Sequence, residues 1–253
     1  MYSFKELHQQ QKILLLTNVW DVPSATAAAA FNAQAIGTSS GAIASALGYA
    51  DGEEIPFSEL LYIVGRIAHS TKLPLSVDLE AGYGNTVEQI VDNIRQLVDL
   101  GVQGINIEDS LVVAGKRSLR DGKEFAALLK SIVQMLKEQG ILLFINVRID
   151  TFILEERAII TATKDRIRQY EAAGADGIFL PCLTDPSSIK SLVACTDLPI
   201  NLMAMPSLPA FDQLQALGVK RLSMGDFLFK KVQQDLQHSM QTILQEQSFT
   251  SIF

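Results

Sequence analysis

The chain has 253 residues, of which 48% are hydrophobic and 19% charged, and its formal net charge is -7. This composition, with a mean hydropathy of +0.20, predicts a globular protein with a large core and excludes a disordered or fibrous chain. The acidic balance argues against a nucleic-acid partner, because phosphate binding needs clustered basic residues. Two cysteines, a polar amino-terminal segment and the lack of any apolar run of about 18 residues predict a cytoplasmic protein with no membrane partner.

Short apolar runs typical of strands alternate with longer segments of helical period along the whole chain. The predicted strands are Ile13–Val19, Ala35–Ser39, Pro74–Glu80, Gly104–Glu108, Leu142–Arg148, Gly177–Pro181, Pro199–Met205 and Arg221–Gly225. The predicted helices are Ser24–Asn32, Phe57–Ser70, Val87–Leu100, Lys123–Gln139, Glu155–Ala173, Pro186–Ala194, Ala210–Leu217 and about Phe227 to Gln245. Eight such units predict an α/β fold, a (β/α)8 TIM barrel formed by residues 1–253 as one domain. A doubly wound sheet is the alternative, but no GxGxxG motif follows the first strand.

Polar residues at the carboxyl ends of the predicted strands are the candidates for chemistry, because barrel active sites lie there. Alternation places Asp78 and Glu80 on one face of the third strand, Glu108 on the same face of the fourth, and Arg148 on that of the fifth. Crowded carboxylates repel one another, and Mg²⁺ prefers such oxygen ligands together with water. The cluster therefore predicts a Mg²⁺ site, although simple pairing of the acids with Arg148 remains an alternative. Asp109 points to the other face and is predicted to be structural.

Other strand ends add candidates for substrate binding. Ser39, Ser40 and Gly41 form a turn of small residues that could hold a carboxylate or phosphate oxygen, or could serve packing alone. Trp20 follows the first strand and Asn201 is the polar member of the seventh; each either lines the pocket or satisfies a neighbouring group.

Several kinds of catalysis are disfavoured by what the strand ends lack. The three histidines fall in or near helical segments, so neither a Ser-His-Asp triad nor a His-ligated zinc site is indicated. No lysine lies within a predicted strand, which argues against Schiff-base chemistry. The charged loop Gly115–Leu119 remains, and its Lys116 is a candidate acid or base, or else solvated surface.

Taken together, these motifs resemble the phosphoenolpyruvate mutase/isocitrate lyase superfamily from about Asn18 to Gly225. The resemblance is carried by Thr38-Ser39-Ser40-Gly41, Asp51, the DxEAGYG motif that begins at Asp78, the NxED motif that ends at Asp109, and Asn146-Val147-Arg148. It implies a Mg²⁺-dependent barrel that acts on small 2-oxo or 2-hydroxy acids. It also implies that Asp78 ligates the metal, that Glu80 and Glu108 hold its waters, and that Asp51 is a further polar group beside it. Ser39, Ser40 and Gly41 would then grip the substrate carboxylate, and Arg148 the oxygen-rich end of the substrate.

The loop after the fourth strand departs from the superfamily patterns. Isocitrate and methylisocitrate lyases carry a KKCGH-type loop and phosphoenolpyruvate mutases carry KTNSL, whereas this chain has Lys116-Arg117-Ser118-Leu119. A metal that binds a 2-oxo acid can polarise its ketone and hold the charge of an enolate. For this reason we expect a lyase that makes or breaks a C–C bond next to a 2-oxo acid through a metal-stabilised enolate. Phosphoenolpyruvate mutase or phosphonopyruvate hydrolase chemistry is the alternative, and a catalytically silent barrel that binds a 2-oxo acid is another.

The last predicted helix is longer than barrel closure needs. Apolar residues recur in it at mostly helical spacing, and the tail adds Phe249, Ile252 and Phe253. Such surface would need a cover, so we expect a homodimer or homotetramer, and the resemblance implies exchange of this helix between protomers. A helix that folds back on its own barrel is the alternative.

Overall fold

The computed structural model describes residues 3–155 and 157–253. Eight parallel strands close into a barrel in the order β1-β10-β9-β8-β7-β4-β3-β2. They are β1 (Leu14–Val19), β2 (Ala35–Thr38), β3 (Leu75–Asp78), β4 (Gly104–Glu108), β7 (Phe144–Arg148), β8 (Gly177–Leu180), β9 (Ile200–Met203) and β10 (Arg221–Ser223). The remaining two strands, β5 (Ser110–Val113) and β6 (Lys116–Leu119), pair as an antiparallel hairpin. The predicted (β/α)8 barrel is confirmed.

The helices are α1 (Phe4–Leu7), α2 (Val22–Ala30), α3 (Ser40–Leu47), α4 (Phe57–Ser70), α5 (Val87–Asp99), α6 (Gly122–Glu138), α7 (Ile159–Ala173), α8 (Pro186–Val193), α9 (Phe211–Ala216) and α10 (Phe227–Glu246). A short 3-10 helix, Thr250–Ile252, follows. Local sequence explains many of their ends: Asp21, Thr86 and Asp121 cap helix amino termini, and Gly48 and Gly174 adopt left-handed conformations at carboxyl termini. In the described part of the chain, no helix has both the length and the apolarity needed to cross a bilayer.

Most of the core lies between the strands and the surrounding helices. The outward residues of the strands, such as Val77, Ile105 and Val147, are fully buried against the helices. A second, smaller core fills the amino-terminal end of the barrel, where Phe4 and Leu7 of α1 join Leu14, Leu16 and Phe144. Helix α1 thus closes one end of the barrel, and the polar residues face the other.

The structure departs from the predicted elements in five notable places. The segments that contain α1 and α3 were not predicted to be helical, and the predicted loop Gly115–Leu119 forms most of the β5–β6 hairpin and its turn. Helix α7 begins at Ile159 rather than at Glu155; Glu156 lies outside the described residues. Glu80 lies beyond the end of β3 with a left-handed φ of 50°, so strand alternation does not place it.

Candidate active site

A cavity of about 160 Å³ opens among the carboxyl ends of the barrel strands. Its lining brings together most of the predicted site residues, namely Ser39, Ser40, Gly41, Asp51, Asp78 and Arg148. Asn18 and Asn106 also line the cavity, together with Arg221 and Asp226, which the sequence did not single out. The cavity therefore lies at the end of the barrel where (β/α)8 enzymes have their active sites.

Asp78 and Asp51 meet at the amino terminus of α3. The Ser40 hydroxyl donates to Asp78 Oδ2 at 2.8 Å and lies 3.3 Å from Asp51 Oδ1, and the Asp78 amide donates to Thr38 Oγ1 at 2.9 Å. Ser39 is the N-cap residue of α3. The predicted turn of small residues is thus a helix start, whose partial positive charge favours anions.

Glu80 is held by a second contact between loops. Its carboxylate accepts the Glu53 amide at 2.9 Å and the Tyr83 hydroxyl at 2.8 Å, while the Tyr83 amide donates to Glu53 at 2.7 Å. Burial raises the pKa of Glu80 to about 8, and the nearby charges of Asp51 and Asp78 add to this. Because Glu53 follows Asp51 in the same loop, these bonds tie Glu80 to the rest of the acidic cluster.

Glu108 belongs to a network with two arginines. Arg148 Nη1 lies 3.0 Å from Glu108 Oε2, and Arg148 Nε and Nη2 bind Asp150 at 2.6 and 3.1 Å. From the hairpin, Arg117 contacts Glu108 and Asp150 and lies 3.4 Å from Asp51. Burial raises the pKa of Glu108, and the charges of Arg148 and Arg117 counteract that shift in part.

The hairpin corrects the prediction for its loop. Lys116 is exposed, whereas Arg117, the next residue, reaches the mouth because neighbouring residues of a strand point to opposite sides. The turn at Ala114 and Gly115 has positive φ at both residues, as two-residue hairpin turns require. The dipeptide Ala114-Gly115 between two short segments is a sequence signal for a hairpin turn. The hairpin was not predicted because its second strand, Lys116–Leu119, has weak strand propensity.

Trp20 and Asn201 are not among the described residues that line this cavity. The Trp20 ring packs edge-on against Phe229 of α10, with the ring centroids 5.3 Å apart. Asn201 belongs to a buried layer inside the barrel, where it accepts from Asn146 at 3.2 Å and donates to Ser223 at 3.2 Å. Both satisfy neighbours, which is the alternative that the sequence left open for them.

Asp109 takes the structural role that alternation predicted. It is fully buried and accepts Arg166 Nη1 at 2.9 Å, the Tyr170 hydroxyl at 2.8 Å and the Asp150 amide at 3.0 Å. Its contacts fix the backbone of Asp150, which in turn binds both arginines of the mouth. Asp150 is therefore part of the site network.

The acidic cluster fits a hydrated divalent cation. Asp78 Oδ1 is buried and has no hydrogen-bond partner among the described residues. Burial and the charge of Asp78 both raise the pKa of Asp51, which shows that the carboxylates repel one another. Within residues 3–155 and 157–253, no three His, Cys, Asp or Glu side chains are grouped to ligate a metal directly. The free oxygen of Asp78 is a donor that a hydrated divalent cation can take, since such an ion binds one or two carboxylates directly and keeps several waters.

The chain is similar in sequence and fold to several known proteins. The family model described as phosphoenolpyruvate phosphomutase matches residues 4–244. An uncharacterized protein of Mycobacterium tuberculosis (strain ATCC 25618 / H37Rv) is 37% identical over 88% of this chain and 81% of its own length. The oxaloacetate decarboxylase of Ectopseudomonas mendocina (strain ymp) is 30% identical over 88% of this chain and 77% of its own. A crystal structure from Burkholderia cenocepacia J2315, provisionally described as a phosphonomutase, has a TM-score of 0.88 and 36% identity, and covers 94% of this chain and 97% of the other.

Proposed function

The chain is an enzyme of the phosphoenolpyruvate phosphomutase family, and we propose that it is a Mg²⁺-dependent lyase that cleaves a C–C bond next to a 2-oxo acid. The observation that carries this proposal is the acidic cluster, in which Asp51 and Asp78 lie at the amino terminus of α3 and, with Glu108, add to the burial that raises the pKa of Glu80. Oxaloacetate is the substrate to test first, because a relative 30% identical to this chain is an oxaloacetate decarboxylase.

In this proposal Asp78 ligates the metal directly, while Asp51, Glu80 and Glu108 hold its waters. Mg²⁺, when bound, would polarise the ketone and balance the negative charge that develops as the bond breaks. The remaining roles belong to the protein. Glu53 and Tyr83 fix the orientation of Glu80 through the hydrogen bonds described above.

Substrate binding is assigned to the small residues of α3 and to the arginines. Ser39, Ser40 and Gly41 place the positive end of α3 next to the substrate carboxylate. Arg148 and Arg117 bring positive charge to the mouth, Arg148 from β7 and Arg117 from the hairpin. In oxaloacetate the C3–C4 bond would break, CO₂ would leave, and the electron pair would remain on the pyruvate fragment as its enolate, which then takes a proton at C3.

Product analysis tests this proposal. The protein should release pyruvate from oxaloacetate in the presence of Mg²⁺ faster than Mg²⁺ alone, and EDTA should abolish the difference. A panel of 2-oxo and hydroxylated diacids would define the substrate if oxaloacetate is slow. Phosphate release from phosphonopyruvate would instead favour C–P chemistry, and Mg²⁺-dependent oxalate binding without turnover of any oxo acid would favour a silent binding barrel.

We also propose a homo-oligomer, a dimer or a tetramer, built on α10. Only Phe229 of this 20-residue helix is buried, while Val232, Leu236, Met240 and Leu244 are exposed. A groove of about 800 Å³ beside α10 is lined by apolar residues of α2 and α10. A second copy would cover these surfaces. Light scattering at micromolar concentration should give a multimer, and a monomer mass for the intact chain would contradict the proposal.

The state of the two cysteines bears on the cellular location. Cys182 and Cys195 are both free thiols, which is the usual state in a reducing compartment. We assign the enzyme to the cytoplasm, and fractionation of cells that express it with a small tag would test the assignment.

A further inference from the structure

A third arginine, Arg221, lies inside the barrel below the acidic cluster. It is the first residue of β10, it is only 1% exposed, and it lines the cavity together with Asn106 and Ser223. Its guanidinium makes one hydrogen bond within the described part of the chain, from Nη2 to Asn106 Oδ1 at 3.3 Å. Nε and Nη1 are buried and have no partner there.

The two arginines at the mouth differ from Arg221 in this respect. All three nitrogens of Arg148 contact Asp150 or Glu108, and both terminal nitrogens of Arg117 contact carboxylates. No carboxylate of the described residues lies within ion-pair distance of Arg221. Arg221 thus lines the cavity while two of its guanidinium nitrogens have no acceptor among the described residues.

Such a residue is unfavourable for folding. A buried charge is tolerated when it is paired, and unpaired donors retain their full desolvation penalty. The neighbouring layer of Asn106, Asn146 and Asn201 provides an acceptor for Nη2 alone, and these asparagines otherwise bond to one another. Burial lowers the pKa of Arg221 to about 9, so it is still mainly charged at neutral pH.

We propose that Arg221 is a further substrate-binding residue, which takes an oxygen of the bound acid at the deep end of the cavity. The chemistry favours a small planar dianion, because a guanidinium binds carboxylate oxygens through parallel N–H groups. This inference rests on the proposed function for the class of ligand. It adds to the mouth arginines a group that would discriminate dianionic from monoanionic acids, because Arg221, unlike Arg148 and Arg117, has no carboxylate partner among the described residues.

The test is a calorimetric titration with oxalate in the presence of Mg²⁺, which needs no turnover. We expect Arg221→Met to bind oxalate about 10- to 100-fold more weakly than the wild type, the range of one lost charge-assisted hydrogen bond. Arg221→Lys should be intermediate, because it keeps the charge but loses the planar fork. Arg168→Met is the matched control, since Arg168 is 62% exposed and pairs with Asp165 on the surface, away from the cavity.

Urea unfolding of the same proteins separates binding from structure. Without ligand, Arg221→Met should unfold at the same or a higher urea concentration than the wild type, because an unpaired buried charge has been removed. Lower stability with unchanged oxalate affinity would overturn the inference and assign Arg221 to the fold. If Arg221→Met does not fold, Arg221→Lys decides, and wild-type affinity in that variant would also overturn it. Wild-type protein that neither binds oxalate nor turns over any oxo acid would refute the proposed function as well, whereas loss of the Arg221 effect alone would leave it standing.

Discussion

Replacement of Asp109 by Ala tests how the fold holds the site. The change removes the acceptor for Arg166 Nη1, the Tyr170 hydroxyl and the Asp150 amide, at distances of 2.9, 2.8 and 3.0 Å. Asp109 and Asp150 are 0% exposed, so water cannot readily replace the lost carboxylate. The variant would leave two buried donors without an acceptor and Arg166 without its carboxylate, although Arg166 keeps its bonds to the Tyr170 hydroxyl and the Arg120 carbonyl.

The expected loss is large for a single substitution. Removal of one partner of a buried ion pair typically costs about 3–5 kcal/mol, and the unpaired amide and hydroxyl belong to the same network. For a chain of this size each kcal/mol lowers Tm by roughly 2–4 °C, so a decrease of about 10 °C is expected. Asp109→Asn keeps an acceptor oxygen and should lose about half as much.

Urea denaturation at pH 8 is the assay, because burial raises the pKa of Asp109 to about 6 and the carboxylate is then ionised. Asp165→Ala is the control: this residue forms an exposed ion pair with Arg168, and its loss should change stability by less than about 1 kcal/mol. If Asp109→Ala loses no more than the control, the three contacts do not support the fold and the reasoning is refuted.

Three further changes test the site and the closed end of the barrel. Arg117→Met should lower kcat/KM for the 2-oxo acid about 100-fold in steady-state assays, as loss of a preorganised charge does. The control Lys116→Met should change kcat/KM less than about fivefold, and the reverse order would contradict the placement of the hairpin. Asp78→Asn should weaken Mg²⁺ binding at least about tenfold by calorimetry, and unchanged affinity would exclude Asp78 as the ligand. Burial, with the charge of Arg221, lowers the pKa of His8 from 6.5 to about 3. Between these two values the unfolded chain binds more protons than the folded chain, so the stability of the fold decreases as the pH drops below 6.5. Between pH 6.5 and 5 the wild type should lose up to about 2 kcal/mol more than His8→Phe, whose ring can still stack on Phe144; equal losses in urea unfolding at the two pH values would refute the assignment.

Local pattern by itself determined the architecture. Alternation of short apolar strands with amphipathic helices predicted all eight barrel strands, because each unit can bury its apolar face only against its neighbours. It also placed Asp78, Glu108 and Arg148 at one mouth, since strand ends converge in a barrel. The separate roles of Glu108 and Asp109 followed from period-2 alternation. The missed helix α1 had a readable signal as well, a capping box of Ser3 and Glu6.

Other features depended on the tertiary structure because they rest on contacts between residues far apart in the chain. Arg117 rather than Lys116 enters the site, since pairing with β5 sets the direction of each side chain. Glu80, whose own backbone is left-handed, is held in the cluster by the amide of Glu53 from an earlier loop, and the nearby Tyr83 hydroxyl adds a local bond. Arg221 reads in the sequence as an ordinary charge at the start of a strand. Only closure of the barrel buries its guanidinium with two unpartnered nitrogens at the cavity, because a closed sheet turns alternate residues of each strand away from water.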